Sequence, residues 1–189
     1  MTGSQRPGKR ERLVSAAQDL VHRHGVARTT LAHIAETADV PVGNVYYYFK
    51  TKEEIVRAVV HTQAQQIEST LADLERRHRS PKARLKALVR LLAEHADSTA
   101  RYGCPHGTLC TEMAKQAQGS DLIGGALMQI QLDWAEQQFS AMGRRDAHDL
   151  AIELLVGYQG SAVLTNALKQ PDLLTRQTRR LEKWIESHD

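Results

Sequence analysis

Residues 25–55 read GVARTTLAHIAETADVPVGNVYYYFKTKEEI, and this stretch decides the fold. Thr29 and Thr30 precede Leu31, Ile34, Ala35 and Ala38, apolar at helical spacing, so a threonine hydroxyl caps a short helix whose inner face is Leu/Ile/Ala. Asp39-Val40 forms a turn. Pro41 suits the first turn of the next helix, because its missing N–H has no intrahelical partner there, and that helix continues through Val42, Gly43, Asn44, Val45, Tyr46 and Tyr47. Two short helices joined by so short a turn have the dimensions of a helix-turn-helix. At 100° per residue, Val45 and Phe49 share the inward face, while Gly43, Asn44, Tyr46 and Tyr47 point outward. Such a face suits a nucleic-acid duplex. Asn pairs with adenine or phosphate, Tyr hydroxyls reach phosphates, and Gly admits close approach.

The flanks supply backbone clamps. Thr29 and Thr30 stand at a helix start, Lys52 opens the next helix, and Arg6, Lys9, Arg10 and Arg12 read as a mobile basic arm. The first helix spans Lys9 to His24, with Leu13, Ala16, Ala17, Leu20, Val21 and His24 as its stripe, and Gly25 caps it. A long fourth helix follows the Thr51 cap down to Arg77, and Ser80-Pro81 starts a fifth that runs to Gly103. After the Gly103-Cys104-Pro105-His106-Gly107 corner come helices from Thr108 to Gln118 and from Asp121 to about Met142.

Asp146 to Leu168 is apolar on nearly all sides, and a helix from Pro171 follows it. A helix apolar all round has to be covered all round, and pairing these two helices with their copies in a second subunit would do so. Gly157, Gly160, Ser161 and Ala162 permit close helix approach. The fold class is therefore all-α, about nine helices, with a helix-turn-helix module over residues 1–50 and a helical domain over 51–189.

Composition agrees. The 189 residues are 41% hydrophobic and 25% charged with only 5% aromatics, a palette of helix formers in a chain long enough to bury a core. A net charge of +3 is too small to announce nucleic acid by itself, so that reading rests on placement. Two cysteines do not make a disulfide scaffold, and the polar N-terminus carries no secretory pattern, so a reducing cytoplasm is the expected compartment. No uncharged stretch reaches the roughly 20 residues of a bilayer span, so no membrane partner is expected. There is no Gly-rich phosphate loop, no His-Glu-x-x-His and no nucleophile motif, so an enzyme is not expected, and neither is a cofactor.

The 25–55 stretch resembles the DNA-binding signature of the TetR family of bacterial transcriptional regulators. The threonine pair, Ile34-Ala35, Ala38, Val40, Gly43, Tyr46, Phe49 and Thr51-Lys52-Glu53 carry the resemblance in register. It departs from the family pattern at Pro41, where a capping residue is common, and at Asp39, where glycine is frequent and Asp is a tolerant substitute in the left-handed region. The resemblance implies a homodimer joined through its last two helices, a double-stranded DNA operator and a small-molecule effector. It implies that Thr29, Thr30 and Lys52 grip phosphates, that Val42, Asn44 and Tyr47 read bases, and that Tyr46 touches the backbone. Repression is the family default.

The corner at Gly103–Leu109 is similar to a Gly-Cys-x-x-Gly-x-Leu corner in one broad branch of the family, and places an effector cavity beside it. Cys104, His106, Cys110, Met113, Met128, Trp134, Tyr158 and Gln159 are candidate lining residues, mostly apolar with a few polar tips, which suits a mostly apolar organic molecule. Each of them has core packing as the competing reading. An alternative signal is thiol oxidation, an electrophile or a metal at Cys104 and Cys110; it requires a lowered thiol pKa or two thiolates with a nitrogen ligand, and no metal is assigned.

Overall fold

The computed structural model describes residues 8–116 and 123–188, and these are helical throughout, with no strand among them. The expected positions at Arg6 and Asp121, and the expected helix end at Gln118, lie outside the described residues.

Helices α1 (Lys9–His24), α2 (Leu31–Thr37) and α3 (Val42–Tyr48) form the N-terminal module. The stops and starts are chemical. Gly25, at φ 82°, ends α1 in the left-handed region that costs glycine little, and its N–H donates to the Val21 carbonyl. Thr30 caps α2, accepting from the His33 N–H at 3.2 Å, an arrangement worth about 1 kcal/mol. Asp39 takes the left-handed turn position at φ 52°, in keeping with the tolerance of Asp for it. Leu13, Ala17, Ile34, Ala35, Val45 and Phe49 meet in the module's core. His24 is exposed instead of completing the α1 stripe, and Val14 is buried.

The basic arm is shorter than expected, because Lys9, Arg10 and Arg12 already belong to α1. Arg12 is tied down, its Nη1 donating to the Asp39 carbonyl at 3.3 Å and lying 3.6 Å from the Asp39 carboxylate. The Arg10 guanidinium stacks over the Phe49 ring, 5.3 Å from its centroid.

Helix α4 (Lys52–Arg77) is continuous from this module into the rest of the molecule. Its first turns bury Ile55, Val56 and Val59, and its later turns bury Ile67, Leu71 and Leu74, so one rigid element joins both halves of a single core. Helices α5 (Pro81–Ala93), α6 (Ala96–Tyr102), α7 (Pro105–Gln116), a 3₁₀ turn (Ile123–Gly125), α8 (Ala126–Ala141), α9 (Ala147–Leu168) and α10 (Pro171–Glu186) complete the described residues.

The expected fifth helix is two. The backbone breaks at Glu94–His95, where neither glycine nor proline announces it, and α6 restarts at Ala96. Helix α7 begins earlier than expected, at Pro105, because Gly103 at φ 86° makes the turn and proline tolerates a helix start.

On α9, Leu150, Leu154, Tyr158 and Thr165 face the core, while Ile152, Val156, Val163, Leu164 and Leu168 stand exposed, Val156 and Val163 by 64% and 66%. Gly157 is where α10 comes close: a Cβ there would sit 3.0 Å from Leu181 Cδ2.

Candidate nucleic-acid interface and adjoining cavities

Helix α3 is anchored from below and bare above. Val45 is fully buried and Phe49 nearly so, whereas Val42, Tyr46 and Tyr47 are 46%, 49% and 79% exposed. A Cβ at Gly43 would meet nothing within 4 Å, so this side of the helix is open to close approach. Asn44 is half-buried between the two faces. Tyr47 leans edge-on against Tyr48, ring centroids 5.0 Å apart, which limits its rotamers without covering it. Two exposed tyrosines and a valine on one seven-residue helix do nothing for the fold; an apolar surface of this kind marks a contact with another molecule.

The expected phosphate contacts divide. Thr30 is exposed, and its hydroxyl still has a proton to donate while its oxygen caps α2. Thr29 is 2% exposed and its hydroxyl donates to the Gly25 carbonyl at 2.8 Å, so it shapes the α1–α2 loop. Lys52 is half-buried at the start of α4, its Nζ donating to the Val26 carbonyl at 3.0 Å and the Ala27 carbonyl at 3.5 Å. Lys50, not anticipated from the sequence, is exposed beside α3 with its Nζ on the Tyr46 carbonyl at 2.6 Å. Its place directly after Phe49 was the available signal.

The Gly103 corner packs against the module. The Gly103 carbonyl lies 3.0 Å from His22 Nε2 on α1, and Glu112 of α7 accepts a 2.7 Å hydrogen bond from the Val26 N–H. Neither contact is readable from local sequence pattern.

Two cavities meet at Cys104. The first, about 270 Å³, lies between α4, α5, α6, α8 and α9 and includes Cys104, His106, Tyr158, Gln66 and Gln131 on its wall. No Asp, Glu, Lys or Arg is among its lining residues. Burial, reinforced by His22 and His95, pushes the His106 imidazole down to about 4, so it is neutral at pH 7. Burial likewise drives the Tyr158 phenol upward, with Cys104 adding to the effect, so it remains a hydroxyl donor. The second cavity, about 530 Å³, opens between α7, α8 and α9 and is lined by Cys104, Cys110, Met128, Gln159 and Glu112, among others.

Six of the eight expected lining residues are thus brought to these two spaces. Met113 and Trp134 line neither. Met113 packs against Gly124, where a Cβ would be 3.0 Å from its own, and Trp134 is 7% exposed with its indole N–H donating to Glu75 Oε1 at 2.9 Å.

The cysteines do not favour the thiol or metal alternative. Burial pushes Cys110 up to about 11, with Cys104 adding, and its thiol donates to the Gly124 carbonyl at 2.7 Å. Cys104 is buried and free, with the Gln159 amide and the Tyr158 hydroxyl aimed at its sulfur at 3.7 and 3.8 Å. Among the described residues no group of three His, Cys, Asp or Glu side chains could hold a metal ion.

Residues 13–59 match the family model of bacterial regulatory proteins, tetR family. Over 51 residues the chain is 45% identical to the HTH-type transcriptional regulator TtgR of Pseudomonas putida, covering 27% of this chain and 24% of that protein. It is 29% identical over 107 residues, 56% of this chain and 55% of the relative, to an HTH-type transcriptional regulator from the lacX 3' region of Lactococcus lactis. The chain thus spans about half or less of the length of these curated relatives. Solved structures extend the likeness in fold. A TetR-family transcriptional regulator from Streptomyces coelicolor superposes with a TM-score of 0.82 at 18% identity, over 94% of this chain and 93% of that one. A TetR transcriptional regulator from Legionella pneumophila gives 0.85 at 15% identity, over 95% and 98%. With the family's own model matched from α1 into α4, on residues that here build the helix-turn-helix, the chain belongs to the TetR family of bacterial regulatory proteins.

Proposed function

We propose that this chain is a homodimeric transcriptional repressor, not an enzyme, that acts in the cytoplasm and leaves a pseudo-palindromic operator when a small, mostly apolar organic molecule binds. The observation that carries the reading is the α3 face, where Val42, Tyr46 and Tyr47 are exposed on a helix that Val45 and Phe49 hold rigidly to the core. In this reading Val42, Gly43, Asn44 and Tyr47 meet base edges in the major groove, and Tyr46, Thr30 and Lys52 meet phosphates. Thr29 supports the loop that presents Thr30.

Among the described residues no helix is long and apolar enough to cross a membrane, so the exposed apolar residues of α9 call for another cover. A second copy packed through α9 and α10 would provide it, and would set two α3 helices about 34–36 Å apart or a modest extension of that, one per half-site. The cavity at His106 and Tyr158, without formal charge on its wall, suits an uncharged effector. The effector need only favour a subunit arrangement in which the α3 helices are misspaced; a coupling of about 1–3 kcal/mol changes operator affinity by roughly 5–150-fold.

Selection of bound duplexes from a random pool tests this. Enrichment of an inverted repeat supports it. Absence of any enriched sequence at low salt overturns it.

A further inference from the structure

We propose that the cavity of about 530 Å³ beside α7 is a second effector site, for an apolar organic cation, and that its occupant loosens the N-terminal module by drawing the Glu112 carboxylate off the Val26 N–H. The inference rests on the regulatory reading above and adds a site of different chemistry to it.

The wall of this cavity is apolar over Met128, Ala162, Val163 and Ala167, and Glu112 is the charged residue that lines it; no Lys or Arg does. A carboxylate beside an apolar space attracts a positively charged group more strongly than it would in open water, because the surroundings screen it less. The first cavity, with no charge on its wall, has no such preference.

Glu112 is also the connection to the DNA-facing half. Its Oε2 accepts the Val26 N–H at 2.7 Å, and its Oε1 makes no hydrogen bond among the described residues. Gly25 makes the room for it: a Cβ there would lie 2.8 Å from Oε1, so the residue that turns the chain at φ 82° is also the one that lets the carboxylate in. The next carbonyl along, that of Val26, receives the Lys52 ammonium at 3.0 Å. Adjacent peptide groups of one loop are therefore pinned from the cavity side by Glu112 and from the phosphate-facing side by Lys52. The same loop leads directly into the Thr30 cap of α2.

An ammonium group donates a charge-assisted hydrogen bond, which a carboxylate accepts in preference to one from a neutral amide. A ligand with its ammonium at Glu112 and its apolar body against Met128 and Ala162 would compete for the carboxylate that holds the loop. Val163 at the cavity wall is one of the exposed apolar residues of α9, so the proposed second subunit would close over the ligand.

The test uses the full chain without DNA, so its failure is separable from failure of operator binding. The probes are naphthylethylammonium and its uncharged isostere naphthylethanol, titrated by calorimetry and by ¹⁵N NMR. The ammonium is expected to bind about tenfold or more tighter than the alcohol, Glu112→Gln to remove that advantage while leaving the alcohol unaffected, and Glu112→Asp to retain part of it. The Val26 amide resonance is expected to move on saturation with the ammonium in wild type. Equal affinities for the two probes, an ammonium advantage that survives in Glu112→Gln, a Val26 amide that stays still, or loss of ammonium binding when Leu92→Trp fills the first cavity would each overturn the proposal.

Discussion

Replacing Tyr47 and Val45 separately, two positions on opposite sides of one helix, divides what α3 does for the fold from what it does for recognition. Tyr47 is 79% exposed, and its ring rests only on the edge of Tyr48. Tyr47→Ala should therefore change stability by no more than about 0.5 kcal/mol, a shift of roughly 1–2 °C in melting temperature for a chain of this size. Val45 is fully buried. Val45→Ala removes two methyl groups from a closed core at about 0.8 kcal/mol each, and the space left behind raises the cost to about 2 kcal/mol, a fall of roughly 4–8 °C.

Operator affinity should behave in the opposite sense. In Tyr47→Ala each half-site gives up the interaction of one tyrosine with one base, at about 1 kcal/mol apiece, which weakens the dimer by about 2 kcal/mol, close to thirtyfold. Val45→Ala, measured well below its melting temperature, should stay within a few-fold of wild type. Thermal melts and fluorescence anisotropy on the selected operator read both quantities. If Tyr47→Ala melts as early as Val45→Ala, or binds the operator as wild type does, the assignment of the two faces is wrong.

Further outcomes are expected from other parts of the molecule. Lys52→Ala should weaken binding to all duplexes alike and reduce the slope of log affinity against log salt by about 1, whereas Asn44→Ala should relax base preference at one position of each half-site; anisotropy over a salt series and a panel of operators separates the two. Val156→Arg together with Leu164→Arg places two charges in the exposed apolar face of α9 and should yield a monomer by sedimentation, with its helical circular dichroism intact. His106 is neutral in the fold and titrates at about 4, below its ordinary 6.5, so the unfolded chain binds the extra proton in between. Its contribution to stability is complete above pH 6.5 and is lost as pH falls toward 4, about 3 kcal/mol in all, so His106→Gln should flatten the melting profile across that window. Cys104→Ser with Cys110→Ser should leave any response to oxidant unchanged, as measured by operator release after peroxide treatment.

The N-terminal module is legible in the sequence because its determinants are local. Threonine caps, the Asp39 turn and the placement of Val45 and Phe49 against Tyr46 and Tyr47 are each set within a few residues by backbone geometry and side-chain period. The excess apolar surface of α9 is legible for the same reason, since a stripe too wide for one neighbour shows in the sequence.

The remainder depends on which elements meet. The break at Glu94–His95 carries no glycine or proline, so helical periodicity runs through it. Thr29 has the same side chain as Thr30 beside it, but its hydroxyl is turned back onto Gly25 and covered. The charge of Lys52 suggests a phosphate, while its partners within the fold are carbonyls of a loop more than twenty residues earlier. Trp134 suits a cavity wall by its chemistry, yet Glu75, on another helix, takes its N–H. Glu112 carries no sequence signal, because a lone carboxylate on a short helix has no pattern, and its significance comes from Val26, 86 residues away.

The central claim is that the outward side of α3 lies in the major groove. The most direct measurement is photocrosslinking from p-benzoylphenylalanine placed at position 47, using the duplex recovered by selection. The account predicts crosslinks to bases at symmetric positions in both half-sites, which disappear when an unrelated duplex is used. Crosslinks confined to protein, or distributed without regard to sequence, would contradict it.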